Sequence, residues 1–505
     1  MARHTFASYS DTDSIRAVIT KDIIVIGTGF SGMGMAMKLR AAGRDDFVVL
    51  EKAQDVGGTW RDNTYPGCEC DIPSHMYSFS YELNADWSKS FSAQPEIYDY
   101  MRGVADEQGI RPYIHFGVEV TGASWDESRQ RWTVRTASGD DYEARFVVAG
   151  VGGLHIPNVP EITGAETFAG PRFHSAQWDH SVDLTGKKVV VIGTGASAIQ
   201  FIPIIAQDVA QLTVFQRTPP WVLPKKDKPT PEWRKKAFAR VPGAQRAYRN
   251  ALYWGLEARA IAFNGHLNVL PFAEKIVNRY LEKAIPDPEL RAKLTPDYRL
   301  GCKRVLQSNT YYPTFLRDNV ELSTDGVREI TADGVIDGNG VTHEADVIIY
   351  GTGFHVIDAF DYLDIKGRGG VDLASQFREG GVETYMGMMV NGFPNLAFML
   401  GPNTALGHNS VVFMIEQQTK FVIRLLDEMD GLGAAAAEPT LQAQTAFNAE
   451  IQRLVEKGIW TQGGCTSWYL DSHGKNRTIW PKFTFQYWWE TRKVNQPDFT
   501  WEQAA

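Results

Sequence analysis

Two glycine-rich turns of the same spacing divide this chain, and each joins an apolar run to a helical stretch. The first, Gly27-Thr28-Gly29-Phe30-Ser31-Gly32, follows Asp22-Ile-Ile-Val-Ile26; the second, Gly193-Thr194-Gly195-Ala196-Ser197-Ala198, follows Lys188-Val-Val-Val-Ile192. Such short apolar runs suit buried parallel strands. One Gly-x-Gly-x-x-Gly carries little information, but two in full strand–turn–helix context constrain the fold strongly. In each turn the first glycine permits the tight bend and the second lets the backbone approach a pyrophosphate. Gly32 allows close helix–strand packing in the first turn, and each helix N-terminus faces the phosphate charge. Each turn is therefore expected to hold a dinucleotide.

The residue at the end of the following strand separates the two sites. Glu51 follows Gly27 by 24 residues, and Arg217 follows Gly193 by the same 24. An acid there accepts hydrogen bonds from an unmodified adenosine ribose, whereas an arginine suits a 2′-phosphate. The first site is thus expected to take FAD and the second NADPH, with Thr218 beside Arg217 as a further contact. The plain alternative for Arg217 is a solvated surface side chain.

After each turn the sequence repeats one plan. Alternating strand signals run from Gly117 to Asp141 and from Val320 to Val341, and apolar strands close the halves at Phe146-Val-Val-Ala-Gly150 and Asp346-Val-Ile-Ile-Tyr-Gly351. The expected fold is α/β, with two Rossmann-like dinucleotide-binding domains. Residues 1–152 and 385–505 are assigned to a discontinuous FAD-binding domain, 153–223 and 320–384 to an NADPH-binding domain, and 224–319 to a mainly helical insertion within the latter. Helical periodicity in the insertion places Leu252, Leu256, Ala260 and Phe263 on one face. From Lys225 to Arg299 it carries 16 Lys or Arg against 8 Asp or Glu. That excess suits a solvated helical surface or one that docks on acidic lipid or a partner.

The whole chain has a formal net charge of −9, which argues against nucleic acid as a general partner. It contains no apolar run of membrane-spanning length, and residues 1–20 carry Asp11, Asp13 and Arg16 where a signal core would be apolar, so a cytoplasmic location is expected. Four cysteines, Cys68, Cys70, Cys302 and Cys465, are too few and too irregularly placed for a disulfide framework. Cys68 and Cys70 are read as free thiols, and no metal site is expected.

Two longer patterns carry the chemistry. Between the glycine turns lies Phe168-Ala-Gly170-Pro-Arg-Phe-His174-Ser-Ala-Gln-Trp178-Asp179. In the first half stands Gly57-Gly58-Thr59-Trp60, then Tyr65-Pro66-Gly67 and Asp71. Taken alone, the first pattern suits a packed linker and Asp71 suits a turn before Ile72-Pro73. Together with the double glycine plan they resemble the fingerprints of type I Baeyer–Villiger monooxygenases, flavoproteins that insert one oxygen atom of O2 beside a ketone carbonyl. Gly301-Cys302-Lys303-Arg304 resembles that family's Lys-Arg segment, and Gly407-His408-Asn409-Ser410 its loop beside the flavin ring. The resemblance runs from about Asp22 to about Arg492 and is weakest in the insertion.

The resemblance implies NADPH- and O2-dependent conversion of ketones to esters or lactones through an FAD C4a-peroxide, with FAD held noncovalently and sulfoxidation as a side activity. An anionic peroxide needs a permanent cation, so Arg304 is the expected catalytic charge, held and tuned by Asp71. Phe30, Gly58, Thr59, Trp60, Tyr77 and Asn409 complete the expected FAD contacts, and Lys303 adds a second charge for the NADPH 2′-phosphate. His174 is expected to orient the two halves, since no proton must leave the ketone. The chain is expected to act as a monomer or homodimer. A flavin monooxygenase acting on nitrogen or sulfur, or a flavoprotein that senses NADPH without oxygenating, are the competing functions.

Overall fold

The computed structural model describes residues 18–263, 270–465, 467–471 and 473–504, with the side chains of residues 262 and 263 not included. Residues 1–17 of the N-terminal stretch considered for a signal core, and the Phe263 side chain, lie outside the described residues.

The first sheet is built on parallel strands at Ile19–Ile26, Phe47–Glu51, Ile114–Phe116 and Asp141–Ala149. Ile24 faces Val48 on one side and Val147 on the other, and all three are buried. Burial on both faces is why these strands read as continuous apolar runs rather than alternating ones. The helix Phe30–Ala41 has its residues 30–37 and Leu39 all buried, sandwiched against the long C-terminal helix Val411–Leu432. An antiparallel ribbon, Val120–Asp126 with Arg131–Thr136, widens the sheet. Leu396–Phe398 pairs along Val147–Ala149, so the C-terminal stretch completes the sheet begun at the N-terminus. The chain returns earlier than residue 385, however, because Asp364–Lys366 already pairs with Val120–Asp126. A three-residue strand with only Ile365 buried leaves no alternation to detect in sequence.

The second sheet is wholly parallel, in the order Val320–Ser323, Gln211–Phe215, Lys188–Ile192, Val347–Tyr350, Arg172–His174. Its edge strand corrects the sequence view of the Phe168–Asp179 stretch as a linker. Arg172–His174 is a working strand, and Phe168 is buried with Val190, Ile348 and Tyr350. Gly170 has to be glycine, since a Cβ there would lie 2.2 Å from the Asp346 carbonyl oxygen.

The insertion forms helices at Glu232–Arg240, Ala244–Phe263, Leu270–Ala284 and Pro288–Leu294. Asp287 caps the last by accepting from the Glu289 and Leu290 N–H groups, with Pro288 at the first position. Of the expected apolar face, Leu256 and Ala260 are buried and Leu252 is half-buried.

The cysteines bring a second correction. Cys68 and Cys70 are free and buried, but Cys302 and Cys465 form a disulfide across 163 residues of sequence. No local spacing could have signalled it. The bond ties the Lys303-Arg304 segment to the C-terminal part of the chain. Among the described residues no helix is long and apolar enough to cross a membrane, and no group of three or more His, Cys, Asp or Glu could hold a metal ion.

Candidate active site

The first glycine turn and the Gly57-Gly58 turn converge into one cradle. Gly27 has φ +90°, and a Cβ on it would meet the Gly150 carbonyl oxygen at 2.9 Å; a Cβ on Gly32 would lie 1.8 Å from the Gly27 carbonyl oxygen. Gly58, at φ +50°, packs so closely on Gly29 that a Cβ would come within 3.0 Å of its Cα. The helix starting at Phe30 has no side-chain cap and no acid in its first turn, which leaves its N–H groups and dipole free for a pyrophosphate. Behind the turn, Phe30 and Trp60 both set edges against the Tyr77 ring at 5.2 and 5.5 Å, and the Trp60 indole N–H donates to the Tyr77 hydroxyl at 3.2 Å. Thr59 is half-buried and opens the short helix Thr59–Asp62. These residues fit an FAD, with aromatic rings and free amides where the group would lie.

Glu51 sits at the expected strand end but is already engaged. Its Oε2 accepts from the Thr28 N–H and hydroxyl at 2.9 and 2.5 Å, and its Oε1 accepts from the Ala53 N–H at 2.9 Å and lies 3.0 Å from Arg61 Nη1. The acid therefore also anchors the turn that forms the cradle.

Asp71 and Arg304, 233 residues apart, meet in a forked ion pair. Arg304 Nε donates to Oδ2 at 3.1 Å, and Nη2 donates to Oδ1 and Oδ2 at 2.8 and 2.6 Å. The carboxylate raises the guanidinium pKa still further above its ordinary value, so the charge is permanent. Arg304 is surrounded by protein on most sides, yet 41% of its side chain and 23% of that of Asp71 stay exposed, leaving surface for an incoming group. Tyr469, fully enclosed beside the pair, has its hydroxyl pushed up to about 12, first by burial and then by opposing influences of Arg304 and Asp71. Nothing in the sequence patterns singled out Tyr469.

The second glycine turn has the same construction with opposite electrostatics. Gly193, at φ +109°, would place a Cβ 2.4 Å from the Gly351 carbonyl oxygen. Thr194 is buried, Gly195 and Ala196 are exposed, and Ser197 precedes a helix with no side-chain cap and no acid in its first turn. Arg217 is exposed and Thr218 half-buried, and neither has a hydrogen-bond or ion-pair partner among the described residues. Lys303 has its pKa lowered, first by burial and then by the Arg217 charge, which brings the two cations near each other from distant parts of the chain. Asp297 acts on Lys303 in the opposite direction, yet Arg217 keeps no acid partner of its own, and two cations brought this near each other suit a phosphate.

The two halves meet at the Tyr65-Pro66-Gly67 turn. The Tyr65 hydroxyl donates to Gln200 Oε1 at 2.9 Å, and the Gln200 amide donates to the Glu69 carbonyl oxygen at 3.0 Å. Gly67 lies so close to the Ala198–Ile205 helix that a Cβ would meet Ile204 at 2.5 Å. Gln200 was not identified from the sequence because nothing local distinguishes it. His174 Nδ1 accepts from the Ala176 N–H at 3.1 Å and its ring packs edge-on to Phe354 at 5.6 Å. Burial pulls its pKa down to about 4, so it is neutral at pH 7. Trp178 packs on Phe173 and Phe201, while Asp179 is exposed and accepts from the Ser181 N–H and hydroxyl. Asn409 is buried, its amide donating to Glu257 at 2.7 Å and its oxygen accepting from the Ser410 N–H at 2.8 Å.

Two glycine turns of dinucleotide-binding construction together with a permanent cation define a flavoprotein oxidoreductase plan, and residues 24–236 match the pyridine nucleotide-disulphide oxidoreductase family. A Baeyer–Villiger monooxygenase of Pseudomonas aeruginosa is 45% identical over 474 residues, 94% of this chain and 90% of that protein. One of Streptomyces coelicolor is 45% identical over 479 residues, 94% of this chain and 92% of that protein. Among solved structures, OTEMO in complex with FAD and NADP superimposes with a TM-score of 0.86 at 28% identity, covering 95% of this chain and 99% of that one. Cyclohexanone monooxygenase from Rhodococcus sp. Phi1 bound to NADP+ gives 0.85 at 29% identity, covering 97% and 100%. The chain belongs to the Baeyer–Villiger monooxygenase family.

Proposed function

We propose that this chain uses NADPH and O2 to convert ketones to esters or lactones, with FAD held noncovalently and sulfoxidation as a side activity. Bound FAD, reduced by NADPH, supplies the chemistry of oxygen activation and transfer. The chain's own residues then do four things. The cradle of Gly27, Gly29, Gly32 and Gly58 brings backbone amides against the FAD pyrophosphate, with Phe30, Trp60 and Tyr77 behind it. Arg217 and Lys303 read the 2′-phosphate that distinguishes NADPH from NADH. The Tyr65–Gln200 contact holds the nicotinamide side against the flavin side. Arg304, fixed by Asp71, keeps a positive charge where negative charge develops on oxygen during attack on the ketone. Such preorganised charge stabilises a transition state because it needs no reorientation as the charge forms.

The observation that carries this reading is the forked Asp71–Arg304 pair with part of the arginine left open. Purified holoprotein given NADPH, a mixed panel of linear, cyclic, aryl and steroid ketones and isotopically heavy O2 should form esters carrying one heavy oxygen atom. Consumption of NADPH without ester from any ketone, but with oxidation of amines, would favour a nitrogen-oxygenating monooxygenase instead.

A further inference from the structure

Every Trp or Phe that is exposed among the described residues lies either in the insertion or between residues 468 and 489. The short helix Thr484–Thr491 is the clearest case. Its buried residues are Thr484, Tyr487 and Thr491, whereas Phe485, Trp488 and Trp489 face solvent. Spacings of three and four set those rings on one side of the helix, and Arg492 follows at the next turn. The helix is thus inside out, with two threonines turned to the core and the large apolar rings turned to water. The patch continues onto the insertion, where Trp254, 59% exposed, has its ring 6.1 Å from that of Phe485. Contiguous exposed rings of this size mark a surface that something covers.

The charges around the patch say what covers it. The Arg492 guanidinium stacks on the Trp489 ring at 3.2 Å, Lys493 beside it is exposed, and neither has an acid partner among the described residues. Glu490, the one acid of the short helix, is taken by Lys482 at 2.9 Å. In the helix Ala244–Phe263 the only acid, Glu257, is buried, which leaves Arg246 and Arg259 as its exposed charges. The helix Leu270–Ala284 begins beside this surface, because Leu270 is buried in one cluster with Trp480 and Tyr487. Its outward stripe repeats the pattern: Phe272 and Ile276 are exposed, with Lys275, Arg279 and Lys283 at helical spacing and Glu282 at the edge. Glu274 is drawn off to Arg299 at 2.7 Å. A chain of net charge −9 thus gathers exposed rings and unopposed cations on the same few helices.

We propose that this face docks on the surface of a membrane bearing anionic lipid. Trp254, Phe485, Trp488 and Trp489 enter the boundary between headgroups and acyl chains, while Arg492 and Lys493 meet the headgroups. Tryptophan suits that boundary because it joins a large apolar ring to one polar N–H, and arginine or lysine lays its stem along apolar surface while keeping its charge in water. The contact is peripheral, since among the described residues no helix is long and apolar enough to cross a membrane. An acidic protein would satisfy the cations but would need an apolar surface shaped to four large rings, whereas acyl chains match any shape. Docking does not depend on the proposed reaction, although it would serve it, because apolar ketones concentrate in lipid.

The test is cosedimentation of purified holoprotein with vesicles of phosphatidylcholine alone and of phosphatidylcholine containing about one-third phosphatidylserine. The variants are W254S/W489S, R492E/K493E and R328E, the last reversing an exposed charge outside these helices. Wild type should bind the anionic vesicles at least about tenfold more tightly than the neutral ones, and the gap should close as salt rises to about 0.5 M, because attraction to headgroups is screened. W254S/W489S should lose at least about fivefold on anionic vesicles, with unfolding temperature and NADPH oxidation unchanged. R492E/K493E should lose at least about fivefold of the preference for anionic over neutral vesicles, and R328E should stay within about twofold of wild type. A wild type that does not sediment with anionic vesicles, a W254S/W489S that binds like wild type, or equal losses in R328E and R492E/K493E would overturn the docking face. A dimer that W254S/W489S dissolves and anionic vesicles leave intact would make a second copy the occupant and overturn it as well. Failure to form ester from any ketone would sink the proposed function and leave the vesicle result standing.

Discussion

The two dinucleotide-binding halves share a construction and differ at one equivalent point. In the first half the strand-end residue is an acid with both oxygens occupied by Thr28, Ala53 and Arg61. In the second it is Arg217, exposed and without a partner among the described residues, with Lys303 brought near it against the repulsion of like charges. The same position is therefore a structural node in one half and an open ligand-reading surface in the other. A node holds the turn together whether or not a cofactor is bound. Asp297 offsets part of the repulsion at Lys303, but Arg217 stays without a partner among the described residues, so a bound anion would relieve the pair further.

This contrast predicts different kinds of damage. Glu51→Ala would leave the buried Thr28 donors, the half-buried Ala53 N–H and part of Arg61 without an acceptor, a change that costs about 3–5 kcal/mol when a buried partner is removed. Its apoprotein should unfold well below the wild type before any FAD is added. An apoprotein of wild-type stability with only FAD binding lost would make Glu51 a pure ligand contact and erase the contrast.

Acid stability treats the halves alike. His75 in the first and His174 in the second are each held down to about 4, chiefly by burial, against an ordinary value of 6.5. Below pH 6.5 the unfolded chain takes up protons that the folded chain refuses. Stability contributed by the two neutral rings is thus full above pH 6.5 and lost as pH falls toward 4, by up to about 3 kcal/mol each at 1.36 kcal/mol per unit. His174→Phe should flatten the dependence of unfolding free energy on pH across that window. An unchanged slope would remove His174 from the acid response.

Arg217→Ala should spare the apoprotein and raise the NADPH KM tenfold or more, with NADH barely affected, as loss of a charge-assisted phosphate contact of about 1.5–3 kcal/mol requires. Equal losses with both nucleotides would show that Arg217 does not read the 2′-phosphate. Lys303→Ala should act in the same direction but only severalfold, because Lys303 is half-buried and lies over the Tyr298 ring at 5.0 Å. Effects of the two substitutions that add without coupling would argue against one shared phosphate.

The glycine turns and their strands could be read from the sequence because their constraint is local. Gly27, Gly32 and Gly193 each stand where a Cβ would strike backbone. Arg304 and Asp71 could be paired only through family resemblance, since 233 residues separate them and neither has a periodic neighbour that points to the other. Glu257, Gln200, Tyr469 and the Cys302–Cys465 bond were beyond reach for the same reason, being defined by contacts made only after the halves close on each other. Short edge strands such as Asp364–Lys366 and Arg172–His174 escaped because three residues carry no detectable period. The second of these turned an expected linker into part of a sheet.

Arg304 carries the central claim, and ester formed per NADPH oxidised tests it most directly. Hydride delivery to the flavin places no negative charge on a substrate oxygen, whereas attack on the ketone does, so a cation serving only the latter acts on one step. Arg304→Ala should still bind FAD and still oxidise NADPH, but it should release hydrogen peroxide and form no ester. Arg304→Lys should recover only part of the yield, because a lysine lacks the planar fork that grips Asp71 and can lose its proton when buried. An Arg304→Ala enzyme with wild-type coupling would contradict the account and take Arg304 out of the active site.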